Sequence, residues 1–256
     1  MARRPVLKIT YILICLACSV GTSVRGEEHI VFEQDGKRRE VRGEVLVTAE
    51  DGGVLLTDRA GVYWAIQKDE VVERNSDDVE FTPLSFQQVE ESLLAELPAG
   101  FSIHRTKHYI IAYATTPAYA RWCGSLYERL YRAFTNVWST KRLKLKEPRF
   151  PLVAIIFPDR ASYTAHAQGE LGDAAESIIG FYSLQTNHMT MYDLSGMSKM
   201  KTGSGRIARS VEINRFLRQP GAAATVATIV HEATHQIAYN CGLHTRFADE
   251  IGRAHV

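Results

Sequence analysis

The stretch from Ala222 to Tyr239, A-A-A-T-V-A-T-I-V-H-E-A-T-H-Q-I-A-Y, constrains the fold more than any other part of the chain. It sets His231, Glu232 and His235 in the spacing His-Glu-x-x-His, and apart from Glu232 no charged residue lies within four positions on either side. On an α-helix, residues four apart share a face at about 6 Å, so the two imidazoles can reach one metal ion. Glu232 is turned about 100° from His231, where its carboxylate can take a proton from a metal-bound water. A helix apolar almost all round is expected to be buried, and burying two imidazoles and a carboxylate without partners is costly. A bound Zn2+ removes that cost, so spacing and setting together fit zinc-assisted hydrolysis. The competing reading is a core helix whose histidines hydrogen-bond to neighbours.

The run T-I-V-H-E-A-T-H-Q-I resembles the extended pattern of the zincin metallopeptidases. Their metzincin branch needs a glycine at position 238 and a histidine at 241, where this chain has Ala238 and Cys241. The resemblance is therefore to the gluzincin-like branch. With H-E-A-T-H-Q-I-A-Y-N, an exported leader and a β-rich front, the chain is similar to an uncharacterised family of secreted bacterial gluzincin-like proteins. The resemblance implies one zinc ion held by His231, His235 and a Glu on a later helix, with Glu232 as general base and a peptide or protein as substrate. It also implies an edge strand that pairs with the extended substrate backbone.

Within the chain as it stands, the alternatives for the third metal position are His244, Asp249 and Glu250, and none has the spacing of a known branch. Cys241 leaves the helix at Gly242, too late to serve. The closing residues, Ile251-Gly-Arg-Ala-His-Val256, are the translation of ATCGGAAGAGCACACGTC, part of a common sequencing adapter. Residues 251–256 are accordingly expected to be a non-native tail. The catalytic domain is then truncated before its third ligand, and the chain by itself is expected to be inactive.

Residues 1–26 read as a signal peptide. Arg3, Arg4 and Lys8 form a basic start, Ile9 to Val20 an apolar stretch, and small residues follow from Gly21 to Gly26. The apolar stretch falls short of the roughly 20 residues a membrane span needs. Export to the periplasm, cell envelope or medium is expected, and the same segment left uncleaved would be an anchor, the one membrane contact foreseen. With 30 basic and 29 acidic residues, the chain has no electrostatic case for nucleic acid. Beyond the leader, Cys123 and Cys241 allow either one disulfide or two buried thiols.

The expected fold class is α+β. Residues 27–74 alternate in short apolar runs separated by Asp35-Gly36, Asp51-Gly-Gly53 and Arg59-Ala-Gly61, which predicts a small β module, barrel-like in the SH3 manner. Such a module either binds a partner or supports its neighbour. Residues 75–101 read as a linker, with Asn75 to Asp78 a loop and Ser85 to Leu97 an amphipathic helix. Residues 102–250 read as an incomplete zincin-like domain, a mixed sheet plus the active-site helix. Strands are expected at His108–Tyr113 and, centrally, at Pro151–Phe157; helices at Pro117–Leu143 and Asp159–Gly169; a strand pair at Gly180–Ser183 and His188–Tyr192. Gly203-Ser-Gly205 reads as a flexible loop. By chain order His188–Tyr192 is the candidate edge strand, or else an ordinary strand of the sheet. His104, His108, His166 and His188 lack ligand spacing. The functional expectation is a zinc metallopeptidase; the alternative is a zinc-binding, non-catalytic scaffold or interaction protein of the cell envelope.

Overall fold

The computed structural model describes residues 26–195 and 220–246. The leader up to Arg25, the loop Gly203-Ser-Gly205, Asp249, Glu250 and the tail 251–256 lie outside the described residues. Among the described residues, ten strands form two five-stranded sheets, and four α-helices complete an α+β fold. No described helix is long and apolar enough to cross a membrane.

The first sheet is an antiparallel array of β1 (Gly26–Gln34), β2 (Lys37–Thr48), β3 (Val54–Asp58), β4 (Tyr63–Ile66) and β5 (Val71–Glu80), in the order β4-β3-β2-β1-β5. Asp35 and Gly36 both take positive φ, 53° and 69°, and close β1 onto β2 with Gln34 opposite Lys37. Such a two-residue turn matches the twist of the strands it joins. The Asp58 carboxylate organises the β3–β4 turn, accepting the Ala60 and Val62 amides on Oδ1 and the Trp64 indole on Oδ2. Ile30, Phe32, Val41, Val54, Leu56 and Ile66 form the core of this sheet.

Two expectations for this module are corrected. The sheet is open, with β4 and β5 on opposite edges, so no closed barrel forms. β4 is only four residues long, and β5 carries exposed polar side chains along nearly its whole length, a common protection of a free edge. Asn75 to Asp78 is strand, not loop, because the β1 ladder holds it: His29 faces Asn75 and Glu28 faces Ser76. Exposed on both faces, the segment has no reason to alternate, so period-2 reading misses it.

The second sheet contains β6 (Ser102–Arg105), β7 (Tyr109–Tyr113), β8 (Leu152–Phe157), β9 (Gly180–Tyr182) and β10 (His188–Tyr192), in the order β6-β7-β8-β10-β9. β7, β8 and β10 run parallel, and β6 and β9 are antiparallel edges. All six residues of β8 are buried, as a strand covered on both faces requires. One face packs Ile110, Ala112, Val153 and Ile155 against α1 (Phe86–Glu96) and α3 (Arg160–Leu171). The other packs Tyr109, Ile111, Ala154 and Met191 against α2 (Pro117–Thr140) and α4 (Pro220–Asn240). Ser85 and Gln88 cap α1 reciprocally, which stops fraying at its first turn. α2 ends at Thr140, short of the expected Leu143, where Arg142 turns left-handed.

A third correction concerns the edge. β10 lies between β8 and β9, so the edge strand is β9 and not His188–Tyr192. After α3 the chain lays β9 down first and then returns to fill the place beside β8, which reverses chain order across the sheet. Cys123 and Cys241 are both buried free thiols. Burial raises both above the ordinary thiol range, Cys241 to about 11, so both stay protonated near neutral pH.

Arg246, just beyond α4, joins the two sheets. Its guanidinium is buried, donates from Nη1 to the Gly61 carbonyl at 2.9 Å, from Nε to Leu184 at 2.8 Å and from Nη2 to Gln185 at 2.8 Å, and lies 3.9 Å over the Tyr63 ring. The Tyr63 amide also donates to the Gln185 carbonyl at 2.8 Å. Replacing Arg246 by Ala removes its bonds to the Gly61 and Leu184 carbonyls and its stacking on Tyr63, while Gln185 keeps the Tyr63 amide, an expected loss of about 3 kcal/mol. Arg246→Lys should recover only part of it, since an ammonium neither forks nor stacks; urea unfolding midpoints of the two variants check this.

Burial, then the charges of Arg246 and His166, push the His188 imidazole down to about 4. In the unfolded chain it titrates near 6.5. Between these values the unfolded state takes a proton that the folded state refuses, so stability is unaffected above about pH 6.5 and falls as pH drops toward about 4, by up to about 3 kcal/mol. Thermal melts between about pH 7 and about pH 5 should show a falling midpoint that His188→Gln makes shallower.

Candidate metal centre

α4 carries three stripes, each at a spacing of four. Ile229, Ala233, Ile237 and Cys241 are buried in the core shared with α2 and the second sheet. Beside them run Glu232, Gln236 and Asn240. His231, His235 and Tyr239 form the third stripe, turned further toward solvent.

The middle stripe seats the helix. Gln236 is fully buried, and its Nε2 donates at 2.9 Å to the carbonyls of both Val153 and Asn187. One turn on, the Asn240 and Asn187 side-chain amides pair reciprocally at 2.7 and 2.9 Å. Asn187 sits in the left-handed turn between β9 and β10, at φ 65°, and its Oδ1 also accepts the Tyr182 hydroxyl at 2.7 Å. One turn back, Glu232 Oε2 accepts the backbone amide of Tyr182 on edge strand β9 at 3.0 Å. The three polar residues thus bind β8, the β9–β10 turn and β9 in succession.

That seating fixes where the histidines go. The Nε2 atoms of His231 and His235 are 3.0 Å apart, with the rings near perpendicular at 4.5 Å between centroids. Two nitrogens about 2.0–2.1 Å from a tetrahedral zinc ion lie about 3.3 Å apart, so a slight opening of the pair completes two corners of such a site. The donor set fits zinc, since imidazole is a preferred ligand of that ion. His231 is exposed, while Glu232 and His235 are partly buried. The expected all-round burial of this helix is therefore corrected: it buries one side and leaves the histidine stripe accessible.

Among the described residues no third His, Cys, Asp or Glu joins the pair. His244 is not brought to it: the Tyr239 ring stands between, 6.5 Å from His235 and 5.4 Å from His244, and the His244 amide is used at the end of α4, on the Ala238 carbonyl. His108 bonds Glu128 through Nδ1, His166 packs on Phe157 and His188 lies in β10. Sequence reading missed Tyr182, Asn187, Gln236 and Asn240. The spacing of Glu232, Gln236 and Asn240 was the available signal for two of them, a polar stripe beside the histidines rather than an uncharged flank.

A family described as "Protein of unknown function (DUF1570)" matches residues 225–254, the stretch that carries His231, Glu232 and His235. No curated protein and no solved structure matches the chain. For the helix seat, Gln236→Met keeps the volume and removes both buried hydrogen bonds of Nε2, with an expected loss of about 2 kcal/mol in a denaturant titration.

Proposed function

We propose that this chain carries the active-site helix of an exported, zinc-dependent peptide hydrolase of the gluzincin-like zincins. The observation that carries the reading is the convergence of the His231 and His235 Nε2 atoms at 3.0 Å, one residue away from a carboxylate that the edge strand holds in place. His231 and His235 would hold the ion, with a third ligand outside the described residues. Zinc bound there would supply a Lewis acid and a water whose pKa falls toward about 7.

The chain's own residues do the rest. Glu232 accepts the proton of the attacking water and returns it to the leaving amine. The Tyr182 amide restrains that carboxylate, donating to Oε2 and leaving Oε1 for proton transfer. β9, as the free edge, is the strand along which an extended peptide would add. Its Tyr182 amide is committed to Glu232, so a substrate backbone pairs with the remaining groups of that edge.

Metal analysis of the complete protein, third ligand included, is expected to find about one equivalent of zinc, absent from His231→Ala. In that complete protein, hydrolysis of a denatured protein substrate should fall by about a hundredfold or more in Glu232→Gln, with zinc retained. Hydrolysis that survives this substitution removes Glu232 from the role of base, and zinc binding without hydrolysis in the unsubstituted protein favours the scaffold reading.

A further inference from the structure

A cleft of 290 Å³ lies where the linker meets the second sheet. This is close to the lower end of the roughly 300–1,000 Å³ range of ligand pockets. Leu84, Phe86 and Phe150 give it an apolar lining, and Lys107, His108 and Arg149 give it basic groups.

His108 is set up with unusual care for a residue outside the metal centre. Glu128 accepts its backbone amide on Oε1 and its Nδ1 on Oε2, each at 2.8 Å, and takes the Thr106 hydroxyl at 2.7 Å. The imidazole stacks on Tyr131 at 4.0 Å between centroids. Its Nδ1–H tautomer and orientation are thereby fixed, which makes Nε2 an acceptor and leaves the donors of the cleft to Lys107 and Arg149. Glu128 has its charge met by these donors and is not an open anion. Arg149 stacks on Phe81 at 4.5 Å and reaches Glu44 through Nη1 alone, while Lys107 is exposed and, among the described residues, forms no ion pair. One acid, Glu147, lines the cleft against them.

We propose that this cleft is a binding site for a small carboxylate with an apolar body of about one ring, its ring against Phe86 and Phe150 and its carboxylate toward Lys107 and Arg149. The chemistry is that of a desolvated apolar body carried by one charge-assisted anchor. The site stands apart from the proposed hydrolysis and survives if that reading fails.

Phenylacetate added to the isotope-labelled full chain tests it. Saturable shifts are expected at the Lys107, His108 and Phe150 amides, with a dissociation constant of about 1 mM or tighter. Phenylacetamide, with the same ring and no charge, should bind about tenfold more weakly, and so should phenylacetate to Lys107→Glu. Lys107 is exposed, so that variant keeps the fold. The proposal is overturned by the absence of saturable shifts at these amides up to about 10 mM, by equal binding of acid and amide, or by undiminished binding to Lys107→Glu.

Discussion

One side-chain amide sets the rotation of the helix that carries His231, Glu232 and His235. Gln236 spans the carbonyls of Val153 and Asn187, two buried hydrogen bonds each worth about 1 kcal/mol. Once it is seated, the positions four residues away on either side have no choice. Glu232 falls against the edge strand and Asn240 against the β9–β10 turn. The histidine stripe, one residue earlier at every turn, is carried around toward solvent. The orientation of the two imidazoles thus comes from a neighbouring polar row that they do not themselves belong to.

The sheet beneath supplies the rigidity on which this depends. β8 is buried along its whole length, and its carbonyls cannot shift without moving both layers of helices. The edge is less firmly held. β9 has only three residues, and a Cβ at Gly180 would fall 2.8 Å from that of Met191, so the strand approaches β10 too closely for a side chain there. The amide that restrains Glu232 thus belongs to a short strand positioned by close backbone contact on one side and by the Tyr182–Asn187–Asn240 bonds on the other.

Much of this could be read from the chain. The amphipathic pattern from Ser85 announced a helix, Asp35-Gly36 announced a turn between strands, and the apolar run from Pro151 announced a central strand. The His231 and His235 imidazoles lie side by side, as a spacing of four on one helix face allows. The failures share a cause, since each depended on a partner distant in sequence. Asn75 to Asp78 is a strand only because β1 lies beside it, and β10 is interior only because β9 was laid outside it. Barrel closure is a property of two edges and not of any one segment. The polar stripe of α4 escaped notice because a neutral Gln in an apolar helix looks like a flank until the carbonyls it serves are known.

The Arg246 clamp also bears on the order of assembly. The first sheet is translated before everything it rests on, and it can form its own antiparallel pairs as soon as it emerges. The guanidinium that fastens it to the β9–β10 loop lies almost two hundred residues later. Until the ribosome has released the segment beyond α4, the N-terminal sheet can be folded but not locked. The bonds of Glu44 to Arg149 and of Tyr63 to Gln185 can form earlier, and the Arg246 clamp closes last, together with completion of the helix that carries the histidines.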